Sequence, residues 1–565
     1  MFCIANVRFV VIAASIFMSS CVSKKPQTFT DAEVVRKHLS SKEKSNISLL
    51  SLVESESKNF LDRNGRLTPE LQEAFYEFEK KYYKQLDENS QSRFQRIVGE
   101  VGGKVLSPIL MPPESDPFWL TEKGEFEGYK STEHLPKSAG VVVVGAGLTG
   151  VSAVYHLSQH QENNSDYVLL EAGSKPASQA TGRNGGNFQL LSESYVGEYT
   201  GLKEERLKWL RQKHKLDKIS EEMILKEADY QAETILNFNL KNFQRFRSLV
   251  AEEKLDCDYS EEGWLRIAKN EDEEKALFRD TEWIQSQNRK GTPDSEIWSP
   301  QKIKEKVDIS SKFSGRYIAK NGNYHPYKFV NALLRKSLSK GVKFYTGTKV
   351  LKVTKLGSVY KVDTNQGTIF ANKVIVATNA QTAEIFPKLS YIKVVPSQIM
   401  NLEHIKNPLK GMTLTEEYGD IYYNFPKSAA YKDAKGNQYG MLHFGWDVLD
   451  HSINVSNRSI DQFTIMKKFT DERFPDSKGQ PASRVWVGNM GFTDDRIPVI
   501  GFGDSKNLVF AVAFQGYGGS YCIHAGYVAA EMALTGVEHP DAPSKMFSPN
   551  RSFHHQNFLS SASAR

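Results

Sequence analysis

Cysteine is scarce in this chain of 565 residues. There are four, Cys3, Cys21, Cys257 and Cys522, and no C-x-x-C pair. That spacing argues against a dithiol redox centre or a thiolate metal cage. Cys257 and Cys522, far apart in sequence, read as small buried hydrophobes. Long hydrophobic runs are missing as well: the apolar stretch Phe9–Met18 is too short for a bilayer span, which takes about 20 residues. Charge of one sign is missing too. The 73 Lys and Arg against 67 Asp and Glu leave +6, and acids interleave with bases, as in Lys203-Glu204-Glu205-Arg206 and Glu271-Asp272-Glu273-Glu274-Lys275. A nucleic-acid binder gathers its basic residues on one face or in runs. These segments read instead as solvated helix faces, with no nucleic-acid partner. His554-His555 has no carboxylate or thiolate at ligand spacing, so no metal site is expected. There is no internal repeat. What remains is an ordinary globular composition, long enough for two or three domains.

The apolar start has the layout of a secretion signal. Arg8 precedes the run Phe9–Met18, and Ser19, Ser20 and Cys21 follow. This order fits the h-region of a signal peptide over 1–20. Met18-Ser19-Ser20-Cys21 resembles a bacterial lipobox, which makes Cys21 the lipidated first residue of the mature chain. Two or more acyl chains on one Cys would anchor it stably, at about 0.8 kcal/mol per buried methylene. The expectation is a lipid-anchored, periplasm-facing protein of the bacterial cell envelope. Residues 21–110 read as a charged helical extension. Thr68 caps a helix that opens on Pro69, and Leu71, Phe75, Phe78 and Tyr82 recur at helical spacing.

The densest information lies between Val141 and Asn187. Val141-Val142-Val143-Val144 is a β-branched run suited to a strand buried on both faces. Gly145, Gly147 and Gly150 follow in the pattern G-x-G-x-x-G, then a helix-like segment, Val151–His160. A second apolar run, Tyr167–Leu170, ends on Glu171. This is a complete βαβ dinucleotide unit. Gly145 makes the turn out of the strand, Gly147 lets a pyrophosphate approach the backbone, and Gly150 lets the helix pack close to the sheet. The helix N-terminus offers free N–H groups and a positive dipole end to phosphates. Glu171 can accept both hydroxyls of an adenosine ribose and would repel a 2′-phosphate, which argues against NADP.

The loop Ala180-Thr181-Gly182-Arg183-Asn184-Gly185-Gly186 is too rich in glycine for a helix or strand interior. Its one Arg suits a second contact with a phosphate or a ring edge. At this point the chain resembles the FAD-dependent oxidoreductases of the D-amino acid oxidase superfamily, in the glycine/D-amino acid oxidase-like branch that includes gamma-glutamylputrescine oxidase. That branch carries a GRNGG motif after the acid, as Gly182–Gly186 do here. Family members often follow it with His, Gln or Phe, where this chain has Asn187. The resemblance continues through Asp116-Pro117-Phe118-Trp119, Tyr324-His325-Pro326-Tyr327, the strand pair Val342–Val353, and Val374–Ala380. It ends with Asp495–Gly501 and Gln515-Gly516-Tyr517-Gly518-Gly519-Ser520. It covers about residues 112–540. It implies FAD as cofactor, held by Gly145, Gly147, Leu148, Thr149, Gly150, Glu171 and Ala172, by the loop Thr181, Gly182, Arg183, Asn184, Gly185 and Gly186, by the backbone of Val350 at the adenine, and by Gly516, Gly518, Gly519 and Ser520.

The expected fold is α/β: a Rossmann-like FAD-binding domain over 111–200, 321–385 and 491–540, a discontinuous α+β substrate domain over 201–320 and 386–490, the helical N-terminal extension, and a tail over 541–565. In the family resembled, a hydride passes from the carbon beside a substrate nitrogen to flavin N5, the imine hydrolyses, and oxygen or another acceptor reoxidises the flavin. The implied substrate is a small-molecule amine or amino acid. No acid–base triad is required, and no catalytic residue is singled out. Substrate-facing candidates are Tyr423, His443, Arg496 and Tyr517. Tyr422, Tyr423, His443 and Trp446 lie on strands where aromatics usually pack. Arg496 could meet the flavin or a substrate carboxylate, or pair with Asp494 or Asp495. His325 reads as a turn or hydrogen-bonding residue rather than a base. Two rival readings stand beside the oxidase: a lipid-anchored dehydrogenase passing electrons to a membrane quinone, and a non-enzymatic lipoprotein that keeps the fold.

Overall fold

The computed structural model describes residues 115–121, 124–160, 166–190, 198–214, 219–287, 294–416, 421–446 and 460–551. The signal segment, Cys21, the Thr68 helix and His554-His555 lie outside the described residues. The chain divides into two compact units, one of residues 1–115 with 458–485, the other of 116–457 with 486–565. In the first, the described part is chiefly the helix Ile460–Arg473. Its buried Lys467 donates to Asp471 and to the carbonyl of Ser477 at 2.9 Å.

Among the described residues the second unit holds two large sheets and a two-stranded one that pairs Asn187–Phe188 with Gly322–Asn323. The first is built on β1 (Ser138–Val144), whose four valines are buried as a central parallel strand requires. β1 pairs in parallel with Gly367–Val376 on one side and with β2 (Tyr167–Leu170) on the other. Lys343–Tyr345 extends the sheet beyond β2, and Leu508–Val512 extends it beyond Gly367–Val376. The connection from β1 to β2 is α1 (Leu148–Ser158), buried along its whole length. The second sheet has nine strands and carries Lys393–Lys406, Gln438–Trp446, Ile421–Asn424, Thr413–Glu416 and Trp264–Ile267 in adjacent order. The strand Arg484–Phe492 lies at its edge, and its residues from Trp486 onward belong to this unit.

The structure departs from the expected domain division in one long element, α2 (Glu221–Glu252). Ser220 caps it by accepting from the Met223 N–H, and Glu221 and Glu222 sit favourably at its positive end. Its apolar face does not join the second sheet. Ala232, Ile235, Phe238, Phe243 and Phe246 share one core with Val151 and Val154 of α1 and with Ala525 and Val528 of α3 (Gly518–Thr535). An amphipathic stripe records that a helix will be covered, but not by what. Cys257 and Cys522, placed in different domains from sequence, meet in this same core.

Candidate functional site

The first glycine turn is forced by the backbone. Gly145 has φ +102°, and a Cβ there would lie 2.7 Å from the Ala377 carbonyl oxygen. At Gly150 a Cβ would stand 1.8 Å from the Gly145 carbonyl oxygen, so only glycine lets α1 start against the strand end. Gly147 is the N-cap of α1, with no side-chain cap. The Leu148 N–H donates to Thr181 Oγ1 at 3.1 Å, which ties the second loop to the helix start. Glu171 ends β2 with its carboxylate already organised. Oε2 accepts from the Ala146 N–H at 2.9 Å, and Oε1 accepts from the Gly173 N–H at 2.8 Å and from Ser178 Oγ at 2.9 Å.

The loop 180–186 begins as a single 3₁₀ turn, Ala180–Arg183. Arg183 donates to the carbonyls of Val487 at 3.0 Å and Ser178 at 3.3 Å, which binds the loop to the edge strand of the second sheet. Trp119 and Trp486 donate their indole N–H groups to the carbonyls of Asn184 and Arg183. Asn187 Oδ1 accepts from Asn424 Nδ2 at 2.7 Å, and Asn424 Nδ2 also donates to the Gly185 carbonyl at 2.8 Å.

The third part is the start of α3. Its N-cap, Tyr517, makes no side-chain cap. The approach is bent: Ala513, Gln515 and Gly516 all have positive φ. Asn379 Oδ1 accepts from the Ala513 and Phe514 N–H groups, and Gln515 Oε1 accepts from the Thr493 N–H. From α2, Asn242 donates to the Gly519 carbonyl and Asn239 to the Ser520 carbonyl. These bonds hold the first turn of α3 still.

The three parts enclose one cavity of about 520 Å³. Gly145, Gly147, Leu148, Thr149, Glu171, Ala172, Thr181, Arg183, Asn184, Gly185, Val350, Gly516, Tyr517, Gly518, Gly519 and Ser520 line it. Gly150, Gly182 and Gly186 do not; they serve packing. A Cβ at Gly182 would meet the Ala177 carbonyl at 2.3 Å, and one at Gly186 would meet Trp119 at 2.7 Å. Three of the substrate candidates are also placed elsewhere. Tyr423 is fully buried and stacks on Phe444 at 4.7 Å. His443 is fully buried between Trp119, Trp486 and Tyr422, and burial pushes it down to about 3. Arg496 lies outside the cavity with its guanidinium 5.2 Å from the Phe492 ring. It pairs with neither acid considered from sequence: Asp495 pairs with Arg551, and Asp494 with Lys393. His325 caps the helix Pro326–Ser339, accepting from the Lys328 N–H, and burial lowers it to about 4.

The cavity is also lined by residues that sequence reasoning did not select. Tyr422, the strand neighbour of Tyr423, faces it, as do Gln189, Ser397, Gly488, Asn489, Met490 and Cys522. Burial pushes the Cys522 thiol up to about 12. Asn379, at φ +43°, follows directly on the strand Gly367–Val376 through Ala377 and Thr378. An Asn just past a buried strand is a readable signal, because Asn tolerates positive φ.

Comparison with known proteins gives a consistent picture. The family described as FAD dependent oxidoreductase matches residues 140–532. The chain is 22% identical over 413 residues to the probable oxidoreductase OrdL of Haemophilus influenzae, covering 70% of this chain and 83% of that one. It is 25% identical over 407 residues to gamma-glutamylputrescine oxidoreductase of Escherichia coli, covering 71% and 85%. Its fold resembles L-amino acid deaminase from Proteus vulgaris (TM-score 0.56, 18% identity, 78% and 100% covered). It also resembles glycine oxidase from Geobacillus kaustophilus (TM-score 0.55, 17% identity, 74% and 100% covered).

Proposed function

Because the chain belongs to the family of FAD-dependent oxidoreductases, we propose that it holds FAD in this cavity and oxidises the C–N bond of an amine or amino acid. One observation carries the reading: two helix N-termini whose N-cap residues, Gly147 and Tyr517, supply no side-chain cap open with the Glu171 carboxylate onto a single cavity. Each N-terminus offers N–H groups and a positive dipole end. A dinucleotide carries the matching chemistry, with hydroxyls for Glu171, a diphosphate for the start of α1, an adenine beside Val350, and a polar ring edge for Gly516–Ser520.

Bound there, FAD supplies the acceptor for a hydride from the carbon beside the substrate nitrogen. The rest falls to the chain and the substrate. As the C–H bond breaks, the nitrogen lone pair becomes the C=N bond, so the nitrogen must be neutral at that moment. Water then adds to the imine and releases a carbonyl compound with ammonia or a smaller amine. Tyr422, Met490 and Phe514 form part of the cavity wall. Cys522 stays a neutral thiol, since its pKa is pushed up to about 12. The substrate nitrogen loses its proton before the hydride leaves. The two electrons then leave to oxygen or to another acceptor. The lipobox-like Met18-Ser19-Ser20-Cys21 favours a second reading of that last step, in which a membrane quinone accepts them from an enzyme anchored at the cell envelope.

The test is direct. The purified protein is expected to be yellow, and its flavin to bleach without oxygen when a panel of amines and amino acids is added. A protein that held no FAD, or a flavin that no member of the panel bleached, would sink the reading. Fast recovery of colour in air favours oxygen as acceptor; slow recovery hastened by a soluble quinone favours the second. Replacement of Cys21 by Ser should move the protein from the membrane to the soluble fraction.

A further inference from the structure

Resting on the flavin reading above, we propose that the substrate of this site is an amine with no carboxylate beside the reacting carbon, and that Met490 is a specificity-determining residue. The lining contributed by the second sheet is uncharged: Ser397, Tyr422, Gly488, Asn489 and Met490. Among the described residues, only two cations line the cavity at all, Arg183 and Lys349. Both are engaged. Arg183 donates to the carbonyls of Ser178 and Val487, and Lys349 pairs with Glu384 at 3.0 Å, next to the adenine-side residue Val350.

What the second sheet does offer is acceptors and rings. Asn489 Oδ1 is buried and has no hydrogen-bond partner in the protein. The Tyr422 ring is held flat between two glycines: a Cβ at Gly185 would come within 2.4 Å of it, and one at Gly445 within 1.9 Å. Tyr517 adds a second ring at the start of α3. A carbonyl oxygen and the Tyr517 ring suit an N–H donor or an ammonium group. A carboxylate buried against this wall would give up hydration and gain no cation from the second sheet in return, which is a net cost.

Met490 is an uncharged side chain of this wall, beside the bent approach to α3. It lies on the strand Arg484–Phe492, packs with Val395 and Phe492, and its Sδ stands 3.1 Å from where a Gly516 Cβ would be. It therefore faces the bent approach to α3, whose N-terminus opens onto the cavity. Met and Arg have similar reach, so the substitution Met490→Arg would place a guanidinium on this wall.

The experiment uses the full-length protein with its FAD, first confirmed by its absorbance. Flavin reduction without oxygen is compared for pairs that differ only by the carboxylate: n-butylamine against D- and L-norvaline, and 1,4-diaminobutane against D- and L-ornithine. An amine is expected to reduce the flavin at least about 100-fold more efficiently than its carboxylated partner. An amino acid that matches or exceeds its amine overturns the proposal. A binding measurement works even if no pair is turned over. Acetate and benzoate should leave the flavin spectrum of the wild-type and M490L proteins unchanged and perturb that of M490R. A carboxylate-induced shift in the wild type overturns the substrate class, and no shift in a folded, FAD-loaded M490R overturns the role of Met490. If M490R does not fold, the wild-type titration alone decides. A protein without FAD fails the parent reading before any ligand is added, so the two failures are told apart.

Discussion

Removing the Arg551 side chain should destabilise the second unit sharply, because it would strand a buried carboxylate. Arg551 and Asp495 are 5% and 4% exposed, and their contact is bidentate, Nε to Oδ2 at 2.8 Å and Nη2 to Oδ1 at 2.9 Å. Arg551 also donates to the carbonyls of Ile497 at 2.6 Å and Pro498 at 3.0 Å. Losing one partner of a buried pair costs about 3–5 kcal/mol. Asp495 keeps its bonds from Thr493 Oγ1 and the Ile497 N–H, so Arg551→Met belongs at the lower end, about 3 kcal/mol. The double variant D495N/R551M removes the stranded charge and should recover a good part of that loss. The pH dependence has a definite sign. Burial alone would raise the Asp495 carboxyl, but Arg551 outweighs it and holds the folded-state pKa below the ordinary 3.8. The pair's contribution is therefore present above the unfolded value and is lost as pH falls through the folded one. Without Arg551, burial wins, the folded pKa rises, and the deficit of R551M should be largest near pH 7.5 and shrink towards pH 4.5. Urea unfolding at both pH values, followed by tryptophan fluorescence, measures it. A loss below about 1 kcal/mol at pH 7.5, or a double variant no more stable than R551M, would refute the reasoning. The effect should reach the cofactor, because Asp495 holds Thr493, and Thr493 holds Gln515 beside Gly516.

Three further outcomes follow from the cavity itself. Glu171→Gln replaces an acceptor of three hydrogen bonds by a group that must turn a donor towards at least one of them; FAD affinity should fall about 10- to 100-fold, read by fluorescence quenching as FAD is added to apoprotein, and an unchanged affinity would count against the ribose assignment. Gly185→Ala drives a methyl to within 2.4 Å of the Tyr422 ring, so it should cost about 1–3 kcal/mol and shift the flavin absorbance; a variant with wild-type stability and spectrum would show that the ring is free to move. Tyr422→Phe should change substrate kinetics with little effect on stability, while Tyr423→Phe, on the opposite face, should leave kinetics alone; steady-state rates and melting curves of the two variants separate them, and the reverse pattern would show that the strand's faces are exchanged.

That last contrast shows where the sequence is legible and where it is not. The first glycine turn could be read because everything it needs is local. β1, Gly145, Gly147, Gly150 and Glu171 lie within one short βαβ stretch, and each obeys a steric or electrostatic rule that requires no knowledge of distant partners. Tyr422 and Tyr423 could not be told apart in this way. Both are buried in a strand covered on its two faces, so the usual polar–apolar alternation is absent. What decides between them is register: Tyr422 lies opposite Gly445, and Tyr423 opposite Phe444. Only glycine leaves room for a ring to lie across it, but that pairing joins residues from separate strands and is set by the whole sheet.

Asn187 makes the same point at the position where the chain leaves the family pattern. Asn187 itself lines the cavity. Asn187 is short, and its Oδ1 accepts the Asn424 Nδ2 that also holds the Gly185 carbonyl. Its own carbonyl oxygen stands 2.9 Å from where a Gly519 Cβ would be. One small amide thus joins the second glycine loop to the second sheet and closes against the first turn of α3. The partner that explains the departure, Asn424, is on a strand more than two hundred residues away, and its role depends on that strand being brought beside the loop. A departure at one site was visible from sequence; its compensation at the other was visible only once the chain had folded.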